Sequence, residues 1–190
     1  ALYENRKLRN WVETILWERP IRAVVAFSVQ MARFVPDDLT PGVRFVMDFV
    51  DFDSAKYAAY GADQRGFMGW INRREGRILL DFERAVARRA DVSTFVSATE
   101  AAAFAEDSGC DLQRLSVLEN GVDLNYFNPQ NSKANTNYRN PAIVFTGQMD
   151  YRPNVDSMVS FAGNFSSAIR SVHPNATFAI VGRNPTREVR

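Results

Sequence analysis

The chain has 190 residues, 46% of them hydrophobic and 24% charged, and a formal net charge of +1. This is ordinary globular composition, and near-neutrality excludes a broad basic field of the kind that binds nucleic acid. No apolar run approaches the roughly 20 residues of a membrane-spanning helix.

Apolar residues at Leu8, Trp11, Val12, Ile15 and Leu16 predict a helix over 2–18, which Pro20 ends. Residues 22–27 and 45–50 are short, nearly continuous apolar runs of the buried parallel-strand type. A long amphipathic helix is expected over 69–89, with Ile71, Ile78, Leu79, Phe82 and Val86 as its stripe. A strand at 92–96, a helix at 98–107 and a strand at 115–118 follow. The single cysteine, Cys110, excludes an internal disulfide and suits a reducing, cytoplasmic setting. It follows Gly109 at an expected helix end and reads as a buried or inert thiol. Tyr126 and Phe127 are expected to anchor the chain where the first domain closes.

Between 128 and 141 there is almost nothing apolar, so this stretch reads as a linker. Beyond it come a strand at 142–146, an amphipathic helix at 154–172 (Val155, Met158, Val159, Phe161, Phe165, Ile169) and a strand at 177–181. Alternating strands and helices predict an α/β fold with Rossmann-like parallel sheets. The expected organisation is a domain over 1–128, a linker over 129–141 and a strand–helix–strand unit over 142–190. Two strands make a marginal sheet, and the start opens inside a helix without an initiator Met. The chain therefore reads as an internal piece of a longer protein, truncated at both ends.

Ligands of open parallel sheets bind beyond the carboxyl ends of the strands. The first such end carries Asp48, Asp51, Asp53 and Ser54. Burying an unpaired carboxylate is costly, which leaves two readings. Either Asp48 or Asp51 lines a cleft and meets substrate hydroxyls, or Asp53 or Ser54 caps the next helix while Asp48 and Asp51 bind loop amides. The bare D-x-D spacing of Asp51 and Asp53 is too short a match to argue for a metal, and none is expected. The second end is Gly147-Gln148, shortly before Arg152-Pro153 opens a helix. A glycine there lets backbone amides approach a phosphate, although a plain turn explains it too. The third is the Gly182-Arg183 turn.

Other residues invite bland explanations. Arg73, Arg77, Arg84 and Arg88 share a helix face, which reads as solvated and paired, for example Arg77 with Asp81. An anionic membrane surface is the competing reading. His173 reads as a surface residue, and Trp11, Trp17 and Trp70 read as packing residues.

Three motifs then stand in one order: N-G-V-D-x-x-x-F-x-P (120–129), F-x-G-x-M-D-Y-x-P-N-V-D (145–156) and I-V-G-R-x-P (180–185). Together they resemble the group 1 glycosyltransferases of the GT-B fold. The upstream V-M-D-F-V-D-F-D-S-A-K-Y (46–57) is similar to a subgroup associated with exopolysaccharide synthesis. The resemblance implies two facing Rossmann-like domains with the active site between them. It further implies transfer of a sugar, with retention and without a required metal or other cofactor, from a nucleotide-sugar donor to a saccharide or lipid-linked acceptor. Asp51 falls where many relatives have a histidine that contacts the donor sugar, and Asp48 lies beside it. Gly147, Gln148, Gly182 and Arg183 fall in the donor-binding turns. Relatives commonly have arginine after that glycine and a lysine several residues on. Here Gln148 and Pro153-Asn154 stand at those places, so Arg152 or Arg183 is expected to supply the cation. The implied setting is cytoplasmic, with peripheral contact at the inner face of a membrane. The glycine-rich loop expected before Ala1 and the paired glutamates expected after Arg190 are not in this sequence, so these 190 residues alone are expected to be inactive. A nucleotide-sugar epimerase of the same architecture and a non-catalytic sugar-nucleotide-binding module are the alternatives.

Overall fold

A computed structural model describes residues 5–131 and 141–190. The chain divides into two compact units, 1–122 and 123–190. Most of the expected linker, 132–140, lies outside the described residues.

The first unit begins with helix α1 (Arg6–Glu18), where the Asn5 side chain caps the Leu8 amide at 3.1 Å. Strands β1 (Ala23–Phe27) and β2 (Arg44–Val50) follow, joined through a 3-10 helix at Val29–Phe34. Next come α2 (Asp53–Asp63), α3 (Gly66–Arg89), β3 (Val92–Phe95), α4 (Ala98–Ser108) and β4 (Leu115–Val117). The four strands form a parallel sheet in the order β1-β2-β3-β4. This is the α/β architecture that the alternation predicts, with strand ends within two residues of expectation.

Strands laid down in sequence order place their crossovers on one face, and the burial pattern agrees. Phe45, Met47 and Phe49 of β2 are buried, while Val46, Asp48 and Val50 between them are only partly so. The covered face packs Ala26, Met47 and Phe95 against Val29, Val86, Ala87 and Ala101. At its heart Phe49, Phe52, Phe95 and Phe104 meet with ring centroids 5.0–5.3 Å apart, a geometry that adds about 1 kcal/mol per pair beyond area burial. On the other face Val25 and Phe27 stay exposed.

Two helical expectations change. The chain between β2 and β3 folds as a pair of helices, broken at Gln64–Arg65, rather than one. Its alanine-rich first helix carries too thin an apolar stripe for periodicity to mark. Gly76 lets the pair approach, since a Cβ there would lie 3.3 Å from the Ser54 carbonyl oxygen and the Ala58 nitrogen of α2. Nor are the tryptophans packing residues. Trp11, Trp17 and Trp70 are 59%, 89% and 51% exposed, and α1 buries none of its residues. As expected, α4 ends at Gly109 in the left-handed region, and Cys110 sits half-buried at the core margin.

The second unit pairs β5 (Ala142–Gln148) with β6 (Thr177–Arg183) in parallel, so that Gly147 lies opposite Gly182. The connecting helix runs as α5 (Arg152–Ser160), one π turn at Phe161–Phe165, and α6 (Ser166–Val172). Val155 and Met158 are buried as the stripe predicts, but Val159 is 48% exposed. Tyr126 and Phe127 meet edge to face at 4.9 Å and are both largely exposed, so they contact each other instead of anchoring a core. His173 is exposed, as expected. Among the described residues no helix is long and apolar enough to cross a membrane.

Candidate functional site

In the first unit the sheet brings Asp48 and Asp51 to the carboxyl end of β2, beside Ser28 at the end of β1. The pairing of β2 with β3 slips between Asp48 and Val50, and Val50 takes φ 68°. Ser28, whose amide donates to the Asp48 carbonyl at 2.8 Å, takes φ 67°. Two non-glycine residues in the left-handed half of the map thus stand at neighbouring strand ends. Each such residue costs on the order of 1–3 kcal/mol, and such strain gathers at sites that bind or react.

Asp48 Oδ1 accepts from the Val50 amide at 3.1 Å and from Thr94 Oγ1 of β3 at 3.0 Å. The carboxylate therefore clamps the bulge that sets the Val50 turn. Asp51 instead faces Lys56 of α2, whose ammonium reaches it at 2.5 Å and Asp53 at 3.3 Å. Burial alone would pull Lys56 down. Its hydrogen bond to Asp51 and the charges of Asp53 and Asp51 outweigh this, so its pKa stands above the ordinary value. Neither Asp53 nor Ser54 caps α2: the capping position is Phe52, whose amide donates to Glu100 Oε2 of α4 at 3.0 Å. Among the described residues no three His, Cys, Asp or Glu side chains are placed to share a metal ion.

The second unit brings Gly147, Gln148, Gly182 and Arg183 together at the carboxyl end of its strand pair. The Arg183 guanidinium donates to Gln148 Oε1 at 2.9 Å, and the Met149 amide returns to the Arg183 carbonyl at 2.9 Å. Asn184, at φ 55°, donates to Asp150 at 3.2 Å. The Gln148 side chain, then Asn184 and the Arg183 charge, hold the Asp150 carboxyl below its usual range against a desolvation penalty. Arg152 Nε lies 3.4 Å from Asp156, one turn along α5.

The sequence matches no known protein-family model and no curated protein. What the two clusters do must be argued from their own chemistry.

Each glycine also has a packing reason. A Cβ on Gly147 would lie 2.8 Å from the Asn154 amide nitrogen, and one on Gly182 would collide with the Gly147 carbonyl. The open surface above the turn is then lined by exposed polar groups: one cation, one carboxylate and two amides.

Sequence reasoning missed several partners. Lys56 and Glu100 act across α2 and α4, which spacing along the chain cannot reveal. Ser28 and Val50 matter through backbone angle, which residue type does not report. Glu83 was detectable. It lies four residues after Leu79 and three before Val86, on the apolar face of α3, where a carboxylate needs an explanation. It is fully buried and accepts from the Ser54 hydroxyl at 2.5 Å and the Ser54 amide at 3.2 Å. Burial, which outweighs those bonds, pushes its pKa up to about 7.

Proposed function

We propose that this chain serves a retaining glycosyltransferase of the GT-B kind, taking a sugar from a nucleoside-diphosphate donor to a saccharide or lipid-linked acceptor. One observation carries the reading. The two turn motifs, separated by 35 residues in sequence, lie side by side at the carboxyl end of β5 and β6, with Arg183 held over Gln148.

Transfer breaks the bond between the anomeric carbon and the diphosphate and forms one to the acceptor oxygen. Negative charge grows on the leaving diphosphate and positive charge on the sugar ring. Arg183 is the cation of the second-unit cluster and suits a phosphate in fork geometry. Gly147 leaves backbone free to approach the phosphate oxygens. Arg152 pairs with Asp156 at an exposed site, worth well under about 1 kcal/mol. In the first unit Asp51 offers a carboxylate to sugar hydroxyls or to a developing ring charge, with Asp48 fixing the turn that presents it.

The test is titration of uridine and guanosine diphosphate into the protein, followed by amide chemical shifts. Expected are shifts confined to 147–152 and 182–184 and a loss of affinity of about tenfold in Arg183→Gln. No binding of either nucleotide, or binding that Arg183→Gln leaves unchanged, overturns the donor-site reading. Epimerised donor without transfer would replace transferase by epimerase.

A further inference from the structure

The helical layer of the first unit carries an open groove of about 650 Å³ along α2 and α3. That lies within the roughly 300–1,000 Å³ of small-molecule sites. Neither Asp48 nor Asp51 lines it. Its lining is largely apolar and short: α2 and α3 touch where Gly76 meets Ala58, and Ala55, Ala58, Ala62 and Leu80 border the groove without filling it. Trp70 stands at its edge, half-exposed, with Phe67 stacked on it at 6.1 Å.

The charged groups around the groove decide what it suits. Arg73 is spent, donating to the Gly61 carbonyl at 2.5 Å. Ser54 is spent on Glu83. Arg77, one turn beyond Arg73, makes no hydrogen bond or ion pair among the described residues, because Asp81 pairs with Arg84 instead at 3.3 Å. Asp107 is the one acid on the lining, against two guanidinium groups. The balance is positive, and the free charge belongs to Arg77.

We propose that this groove binds a small amphipathic anion: a free molecule with one carboxylate or phosphate on Arg77 and an apolar body along α2 and α3, against Trp70. A guanidinium beside low-dielectric walls rewards an anion more than the same group in open water. The apolar body gains roughly 25 cal/mol for each Å² it removes from solvent. The proposal does not depend on the transferase reading.

The test uses a Trp11→Phe/Trp17→Phe background, in which Trp70 alone fluoresces. Both replaced residues are exposed on α1, so the fold should survive. Decanoate should change the Trp70 emission saturably. Decan-1-ol should bind about tenfold more weakly or worse, and inorganic phosphate should do nothing. Arg77→Gln should weaken decanoate about tenfold while leaving decanol unchanged. Ala58→Leu, which fills the groove from an exposed helix position, should abolish both without lowering the thermal midpoint. The proposal fails if decanol matches decanoate, if Arg77→Gln changes nothing, or if Ala58→Leu still binds. It fails equally if phosphatidylglycerol vesicles move the emission and free decanoate does not, because the surface would then be a bilayer contact.

Discussion

Glu83 should make the first unit less stable as pH rises through neutrality. Its folded-state pKa is about 7 against an ordinary value of 4.5. The folded state therefore holds a proton that the unfolded state has released. Stability is fully present below about pH 4.5 and is lost as pH climbs through about 7. At about 1.4 kcal/mol per unit of pKa difference, the loss from this one group is on the order of 3 kcal/mol. That is a large part of the 5–15 kcal/mol margin of a typical domain. The perturbation is Glu83→Gln. The amide keeps the shape and an oxygen to accept from the Ser54 amide, and it cannot ionise. Urea unfolding followed by tryptophan emission suits the assay, since Trp11, Trp17 and Trp70 all lie in the first unit. Run at pH 5, 6, 7 and 8, wild type and variant should differ by under about 1 kcal/mol at pH 5, diverge up to about pH 7 and then level off. By pH 8 the variant should be the more stable by roughly 3 kcal/mol. Other titrating groups act on both proteins and cancel in the difference. Parallel stability curves would mean that Glu83 ionises in the folded state as it does in the unfolded, and would refute the account of burial.

Ser28→Gly should stabilise the first unit by about 1 kcal/mol, since glycine adopts φ 67° without strain and only the Ser28–Gln30 bond is lost; a simultaneous loss of ligand binding would identify the strain as functional. Phe104→Ala removes the ring shared by Phe49, Phe52 and Phe95 and should cost about 3–5 kcal/mol in denaturant unfolding. Gly182→Ala should separate β5 from β6, costing roughly 3 kcal/mol or more, and should erase hydrogen-exchange protection across 142–148 while leaving the first unit untouched.

The strands were legible because a strand of a parallel sheet is a short, largely apolar run, and 23–27, 44–50, 142–148 and 177–183 are such runs, although the last two bury none of their residues. The break at Gln64 was not, because an alanine-rich helix packed through glycines shows no stripe. The site residues were legible as positions and not as partners. Asp51 stands at a strand end as its place in the sequence implies, but its neighbour is Lys56, and Asp48 turns to the Val50 amide and Thr94 instead. Neither choice is encoded by spacing, since each depends on where a second element happens to pack.

The glycines carry the sharper lesson. Read as sequence, Gly147 and Gly182 suggest a backbone left bare for a phosphate. In the fold Gly182 is also required by the Gly147 carbonyl, whereas a side chain on Gly147 would have only the tip of the Asn154 side chain to displace. A strand pair this close would need glycine whether or not a ligand ever bound. Replacing Gly182 thus breaks the strand pair and says nothing about the donor. The discriminating residue is Arg183. It is exposed, and among the described side chains it bonds only to the equally exposed Gln148, its charge acting on the exposed Asp150 carboxyl. Arg183→Gln should therefore leave the unfolding transition of the second unit within about 0.5 kcal/mol of wild type, as surface changes do, while weakening diphosphate binding about tenfold. If stability falls with affinity, the guanidinium is a strut of the turn, and the turn's resemblance to a donor site is a matter of packing alone.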